Sequence, residues 1–194
     1  MEFLMKLLSR LLALLLFLGG TTSVMASDFE AALSSKTAQF TFRSDSSVIG
    51  WGGADLSLGF FYNEESDVIA QVGLMQMRQA SKNNPLTFGV GVKGYLGKLD
   101  NINRDILAFG IGGEIRYTIP GTTPMAIYLR GIYAPEITSF SDSEEVVDYL
   151  LGFQIEALPQ TIAFVGWRHL EFKTDLGDYE ADDDKVQIGV RLTF

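Results

Sequence analysis

The last nine residues of the chain alternate between apolar and polar side chains. Apolar residues hold every even position from Val186 to Phe194, and the odd positions hold polar residues or glycine. Successive side chains of a β-strand point to opposite faces, so the pattern predicts a strand with one apolar face and one polar face. This strand ends on an aromatic residue.

The same alternation recurs from residue 50 onward and predicts eight strands separated by polar turn signals. They are expected at Gly50–Tyr62, Asp67–Met77, Leu86–Leu96, Ile106–Thr118, Met125–Tyr133, Tyr149–Leu158, Thr161–Phe172 and Val186–Phe194. Each segment is roughly as long as a tilted strand that crosses a bilayer. We expect the connections to alternate between two ends, with 63–66, 97–105, 135–147 and 173–184 at one end and 78–85, 119–124 and 159–160 at the other.

This repeated alternation predicts an all-β fold, a transmembrane antiparallel up-and-down β-barrel of eight strands. Ten strands are the alternative, because Thr37–Arg43 also alternates, Phe29–Leu33 offers one more strand, and bacterial single-chain barrels have even strand numbers. A secreted β-sandwich would need the same alternation and remains open at this point.

The N-terminal segment has the layout of a secretory signal peptide. Lys6 and Arg10 precede the apolar run 11–18, and small residues follow up to Ala26. We therefore predict a cleaved signal peptide at 1–26 and a single barrel domain at 27–194. A retained membrane anchor is the alternative for residues 1–26.

Charge and cysteine content narrow the function classes. Removing two basic residues and one acidic residue with the signal peptide leaves 13 basic and 23 acidic residues, a net charge of −10. This balance argues against nucleic acid as a partner, because phosphate binding needs clustered Lys and Arg. The absence of cysteine excludes disulfides and thiol chemistry. No cofactor is expected. The predicted partners are outer-membrane lipid, lipopolysaccharide and, through the terminal Phe194, the barrel-assembly machinery of the bacterial outer membrane.

Charged residues collect on the predicted inner face of the strands. They are Asp55, Lys93, Glu114, Arg116, Arg130, Glu156, Arg168 and Arg191. A small barrel is only about wide enough for side chains to fill, and an unpaired buried charge costs several kcal/mol. We therefore predict a ladder of ion pairs that plugs the interior, which suits a structural or surface-interaction role. A narrow channel lined by these charges is the alternative.

Two further segments carry candidate chemistry. His169 is the single histidine, and some membrane barrels are lipid hydrolases with Ser, His and an acid. No serine motif accompanies it, so we predict that the protein is not an enzyme. The segment from Asp175 to Asp184 is acidic, and Asp182, Asp183 and Asp184 are a weak candidate for calcium, which takes oxygen ligands. The segment lacks the fixed ligand spacing of a calcium-binding loop, so we favour a solvated acidic loop and predict no metal site.

Several segments resemble the YfaZ family of small bacterial outer-membrane proteins. The resemblance is carried by 88–96 (FGVGVKGYL), 108–117 (AFGIGGEIRY), 165–173 (VGWRHLEFK) and 190–194 (VRLTF). It extends over most of the mature chain and is looser in the loops and the N-terminal segment. The resemblance implies an outer-membrane barrel and supplies no catalytic residue.

Overall fold

The computed structural model describes residues 27–50, 52–82 and 84–194, with the side chains of 183 and 184 excepted. The predicted signal peptide lies outside the described residues. The described residues contain eleven strands. They are β1 (Asp28–Leu33), β2 (Thr37–Asp45), β3 (Asp55–Asn63), β4 (Val68–Gln79), β5 (Leu86–Leu99), β6 (Arg104–Ile119), β7 (Met125–Ala134), β8 (Ser139–Ser141), β9 (Ser143–Leu158), β10 (Thr161–Thr174) and β11 (Gly177–Thr193).

Within the described residues, ten of these strands form a closed antiparallel ring. Each strand pairs with the next along the chain, except that β7 pairs with β9, and β1 closes the ring on β11 with Asp28 opposite Thr193. The short β8 stands outside the ring and pairs with the start of β6, beyond the end of β7. The predicted antiparallel up-and-down barrel is confirmed, with β8 as an addition.

The predicted count of eight strands is wrong, and the alternative of ten is correct. The two further strands are β1 and β2, which occupy the N-terminal segment that the alternation left ambiguous. The β1 strand has six residues, too few for a clear period, and only its pairing with both β2 and β11 reveals its role.

The chain connections sort into two ends as expected. The terminal end holds Ser27, Phe194 and the connections β2–β3, β4–β5, β6–β7 and β9–β10. The distal end holds 34–36, 64–67, 100–103, 135–142 and 175–176.

The long distal loops predicted at 97–105, 135–147 and 173–184 are wrong, because much of each continues the ladder. In β10 and β11 the pairing extends through Lys173 opposite Asp178 to a turn at 175–176. The charged side chains of these segments suggested solvated loops. The backbones of these residues nevertheless pair as antiparallel strands beyond the part of the barrel with an apolar outward face.

The two faces of the barrel differ sharply. Large apolar side chains on the outward face are widely exposed, for example Val90 at 69%, Ile111 at 67% and Ile188 at 65%. The inward face carries polar, charged and small residues in most of the barrel and apolar residues at the distal end. Among the described residues, no helix has the length and apolar character needed to cross a membrane.

Candidate functional site: the barrel interior

An apolar cluster occupies the barrel interior at the distal end. Phe61, Phe172 and Tyr95 are its largest fully buried members, and the Tyr95 and Phe172 rings meet edge to face with centroids 6.0 Å apart. The distal cluster consists of Phe61, Ile69, Tyr95, Leu99, Ile106, Ala108, Ile132, Ala134, Val146, Leu170, Phe172 and Ala181. Inward positions that are polar elsewhere are apolar here, so the side chains pack as a small core inside the barrel.

The end of the β10–β11 hairpin contacts the connections opposite it and holds this cluster in place. Tyr179 donates a hydrogen bond from Oη to Asp67 Oδ2 over 2.6 Å, and it also bonds Glu65. Burial and the hydrogen bond to Asp67 raise the pKa of Tyr179 well above its usual range. Arg104 donates two hydrogen bonds to the carboxylate of Asp175, at 2.9 and 2.8 Å.

Three buried carboxylates lie below the distal cluster, and each accepts hydrogen bonds from two cations. We call each carboxylate with its two cations a triad. Glu114 is the centre of the first triad. Arg116 donates from Nε and Nη2 to Oε1 at 2.9 and 2.6 Å, and Arg130 donates from the same two nitrogens to Oε2 at 2.9 and 2.6 Å.

Glu30 is the centre of the second triad. Arg191 donates from Nε and Nη2 to Oε2 at 2.9 and 2.7 Å, and Arg43 donates from Nη2 to Oε1 at 3.2 Å. The antiparallel registers that place Glu30 beside Arg191 and Thr41 bring these side chains from β1, β2 and β11 to one level of the barrel.

Asp148 is the centre of the third triad. Lys93 donates from Nζ to Oδ2 at 2.7 Å, and Arg168 donates from Nε and Nη2 at 3.2 Å each. The Tyr95 hydroxyl adds a hydrogen bond of 2.8 Å, which joins this triad to the distal cluster. Arg168 also donates to Gln39 across the barrel.

The structure brings together six of the eight inner-face residues expected from the sequence, though often through partners that the sequence reasoning missed. Arg116, Arg130 and Glu114 meet one another, whereas Lys93, Arg168 and Arg191 meet carboxylates outside the expected set. Asp55 and Glu156 form no ion pair within the described part of the chain. The missed residues are Glu30, Arg43 and Asp148.

A signal for the missed residues existed in the alternation. Glu30 lies between outward Phe29 and Ala31, and Arg43 follows Phe42, but both belong to the two strands that were only an alternative. Asp148 falls between the predicted connection 135–147 and the predicted strand Tyr149–Leu158, so it was assigned to no strand. It is an inward residue of β9, which begins at Ser143 and not at Tyr149.

A cavity of about 310 Å³ lies beside the triads and is lined by residues of β2 to β7, from Gln39 to Ile132. Its charged lining comprises Arg43, Lys93, Arg116, Arg130, Asp55 and Glu114. The side chains of Arg43, Arg116 and Arg130 retain partial exposure, so water reaches them from the terminal end. Gln71 also lines the cavity, and its Nε2 has no hydrogen-bond partner within the described residues.

The acidic segment near the distal end differs from the expected solvated loop. Asp182 is 1% exposed, and neither of its carboxylate oxygens has a hydrogen-bond partner in the described part of the chain. Burial raises the pKa of Asp182 to about 6. The side chains of Asp183 and Asp184 lie outside the described residues. The described residues contain no group of three or more His, Asp or Glu placed to hold a metal ion.

His169 and Phe194 differ in exposure, since His169 is 9% exposed and Phe194 is 65% exposed. The His169 ring stacks on Tyr149 with centroids 4.7 Å apart, and its Nε2 is 3.3 Å from Glu171 Oε2. Phe194 is exposed at the terminal end, where its backbone N–H and carbonyl pair with Ser27. The expected role of Phe194 in assembly stays a prediction.

Comparisons with known proteins give a structural likeness but no sequence match. No family model matches the chain, and no curated protein matches it. A crystal structure of the outer membrane channel DcaP of Acinetobacter baumannii aligns with 85% of this chain and 54% of that chain, at 12% identity and a TM-score of 0.38. The chain thus spans about half the length of that channel.

Proposed function

We propose that this protein is a β-barrel of the bacterial outer membrane whose interior is closed to solutes, with a structural or surface-interaction role. The observation that carries the membrane location is an apolar belt on the outward face. Every ring strand contributes at least one exposed large apolar side chain to this belt: Leu33, Phe40, Leu58, Val72, Val90, Ile111, Leu129, Leu151, Val165 and Ile188.

Exposing an apolar belt that surrounds the whole ring to water would be unfavourable. Soluble monomers rarely expose contiguous apolar patches larger than a few hundred Å². Hydrocarbon offers no hydrogen-bond partners, and a closed strand ring pairs its backbone groups internally, so the ring meets the requirement for a spanning structure. The same residues in a sandwich would pack against a second sheet, whereas here the ring encloses its polar face.

Aromatic and charged side chains at the borders of the belt support this orientation. Tyr133, Tyr149 and Trp167 lie toward the distal end, where Tyr133 donates to Glu145 over 3.1 Å. Lys173 bonds the same carboxylate at 2.8 Å and thereby lowers the pKa of Glu145. Aromatic girdles followed by polar side chains are typical of the two membrane interfaces. We propose that lipid and lipopolysaccharide surround the belt and that the terminal end faces the periplasm.

The closed interior is supported by the distal cluster together with the three triads. Apolar side chains pack across one end, and paired charges cross the middle, so a solute would have to displace both. Reconstitution in a planar bilayer tests this role. We expect no defined current steps at any applied voltage, and steady unitary currents from the folded protein would contradict it.

A narrow channel is the second candidate, and the cavity at the terminal end is the observation that favours it. Opening would require the end of the β10–β11 hairpin to leave Asp67 and Asp175 to leave Arg104. Tyr179→Phe removes the first contact. Current steps that appear only in this variant would favour a gated channel, whereas silence in both proteins would favour the closed barrel.

The resemblance to the YfaZ family is consistent with this proposal and adds no activity to it. We propose no catalytic function. His169 stacks on an aromatic ring at the distal border of the belt, which suits an interfacial side chain. A His169→Ala variant is expected to leave folding and electrophoretic mobility unchanged.

A further inference from the structure

Positive charge exceeds negative charge within the three triads. Each triad holds two cations on one carboxylate, so each carries one net positive charge. The cavity lining holds the cations Arg43, Lys93, Arg116 and Arg130 and the carboxylates Asp55 and Glu114. Arg43 and Lys93 also bind carboxylates outside this lining, but each of those carboxylates is shared with a second cation. Placing unbalanced charge inside a narrow cylinder is costly, and the cost falls when an anion enters.

The free hydrogen-bonding capacity points the same way. Arg116 and Arg130 both use Nε and Nη2 to hold Glu114, which leaves Nη1 of each guanidinium outside those bonds. Guanidinium groups bind oxyanions through such remaining N–H groups, and these charge-assisted bonds are stronger than neutral ones.

Gln71 provides an independent indication. Its side chain is 6% exposed and lines the cavity, yet its Nε2 donor has no partner among the described residues. A buried donor without a partner is destabilising, so an acceptor atom is expected beside it. Gln71 lines the cavity together with four cations. An anionic oxygen would accept its hydrogen bond and would also interact favourably with these cations.

Room for a ligand comes from small residues in the neighbouring strands. Gly59 and Gly73 line the cavity on β3 and β4, together with Ser57 and Thr41. The volume of about 310 Å³ accommodates a small molecule or ion with water, and no macromolecule. The terminal end is the side from which water reaches the arginines, so the ligand enters there.

We propose that this cavity is a binding site for a small, water-soluble oxyanion with at least two negative charges, phosphate being the simplest case. Arg116, Arg130 and Arg43 supply charge, and Gln71 supplies a directional hydrogen bond. The site lies inside the barrel and does not depend on the membrane location proposed above.

Calorimetric titration of the folded mature chain in nonionic detergent with inorganic phosphate, at constant chloride ionic strength, tests the proposal. We expect saturable binding of one phosphate per chain. Arg116→Gln removes a lining cation but leaves Glu114 paired with Arg130, and it should weaken binding about tenfold or more. Gln71→Met keeps the charge unchanged and should weaken binding several-fold.

Arg191→Gln is the matched control. It makes the same charge change and leaves Glu30 paired with Arg43, but Arg191 does not line the cavity. Its phosphate affinity should stay within about twofold of the parent, and mobility before and after boiling verifies that each variant is folded. Three outcomes would overturn the proposal: no saturable heat at millimolar phosphate, equal weakening by Arg116→Gln and Arg191→Gln, or binding only of a diacyl phosphate in the micelle with free phosphate inert.

Discussion

A buried carboxylate held by two cations is the recurring unit at the scale of single residues. Removing water from a charge costs several kcal/mol, which is recovered only when good hydrogen bonds surround it. Glu114 meets this condition best, since its side chain is 1% exposed and accepts four hydrogen bonds of 2.6 to 2.9 Å. The two arginines around it retain partial contact with water. Removing the carboxylate charge should therefore destabilise the triad more than removing either arginine.

Glu114→Gln should therefore be more destabilising than Arg130→Gln. The first change leaves two guanidinium groups near each other without their shared counter-charge, and we expect it to cost about 3 to 5 kcal/mol. The second leaves Glu114 paired with Arg116, and we expect a smaller loss of about 1 to 2 kcal/mol. Urea unfolding in lipid vesicles measures both, and an equal or reversed order would contradict the triad.

The buried Asp182 should make the stability of the protein fall as the pH rises, which is the opposite of the effect of an ion-paired acid. Its pKa rises from 3.8 to about 6 on folding, so the folded chain binds the proton more tightly than the unfolded chain. The associated stability is fully present below pH 3.8 and is lost as the pH rises through about 6. Asp182→Asn should raise the melting temperature at pH 8 and flatten the profile between pH 4 and 7. An unchanged profile would contradict the buried, unpartnered carboxylate.

At the scale of elements, the β10–β11 hairpin shows what the sequence can and cannot predict. Alternation located nearly all of β10 and the half of β11 that lies in the apolar belt, because one face there must be apolar. It failed in the first half of β11, where Tyr179 and Asp182 turn inward and the outward residues are charged. Where a hairpin extends beyond the membrane, both faces of its strands can be polar. The composition of such a strand is then the same as that of a loop. The distal cluster was missed for the related reason that inward positions were expected to be polar.

Phe172→Ala tests whether the distal cluster holds this hairpin. Phe172 is 0% exposed and packs on Tyr95, and truncating a buried phenylalanine costs about 3 to 5 kcal/mol. Leu176→Ala, at the exposed turn of the same hairpin, serves as the control and should change stability by less than about 0.5 kcal/mol. Protease accessibility of the hairpin should rise in the first variant only. Similar effects of both changes would mean that the cluster is not a core.

At the scale of the whole molecule, closure of the ring depends on its shortest strand. Periodicity identified eight of the ten ring strands, but strand number is a property of closure, and only β1 pairing with both β2 and β11 settles it. The partners of the inner charges follow from the same register. Glu30 and Arg191 are 161 positions apart in the chain, so no local pattern relates them.

Deleting residues 27–45 tests the closure of ten strands. Without β1 and β2, β3 and β11 would each present an unpaired edge, and Arg191 would lose Glu30. We expect the shortened chain to aggregate and to show no mobility change on boiling, whereas the full mature chain shows one. A shortened chain that folds to a heat-modifiable monomer would mean that eight strands close the barrel.

Vesicle flotation of the mature chain tests the membrane location most directly. The protein is refolded from urea into plain buffer, with and without phospholipid vesicles, and centrifuged through a density gradient. Because the apolar belt surrounds the whole ring, we expect folded protein only with vesicles, floating with them and resisting extraction by carbonate. A soluble, folded monomer in detergent-free buffer that stays at the bottom of the gradient would contradict a belt in contact with hydrocarbon.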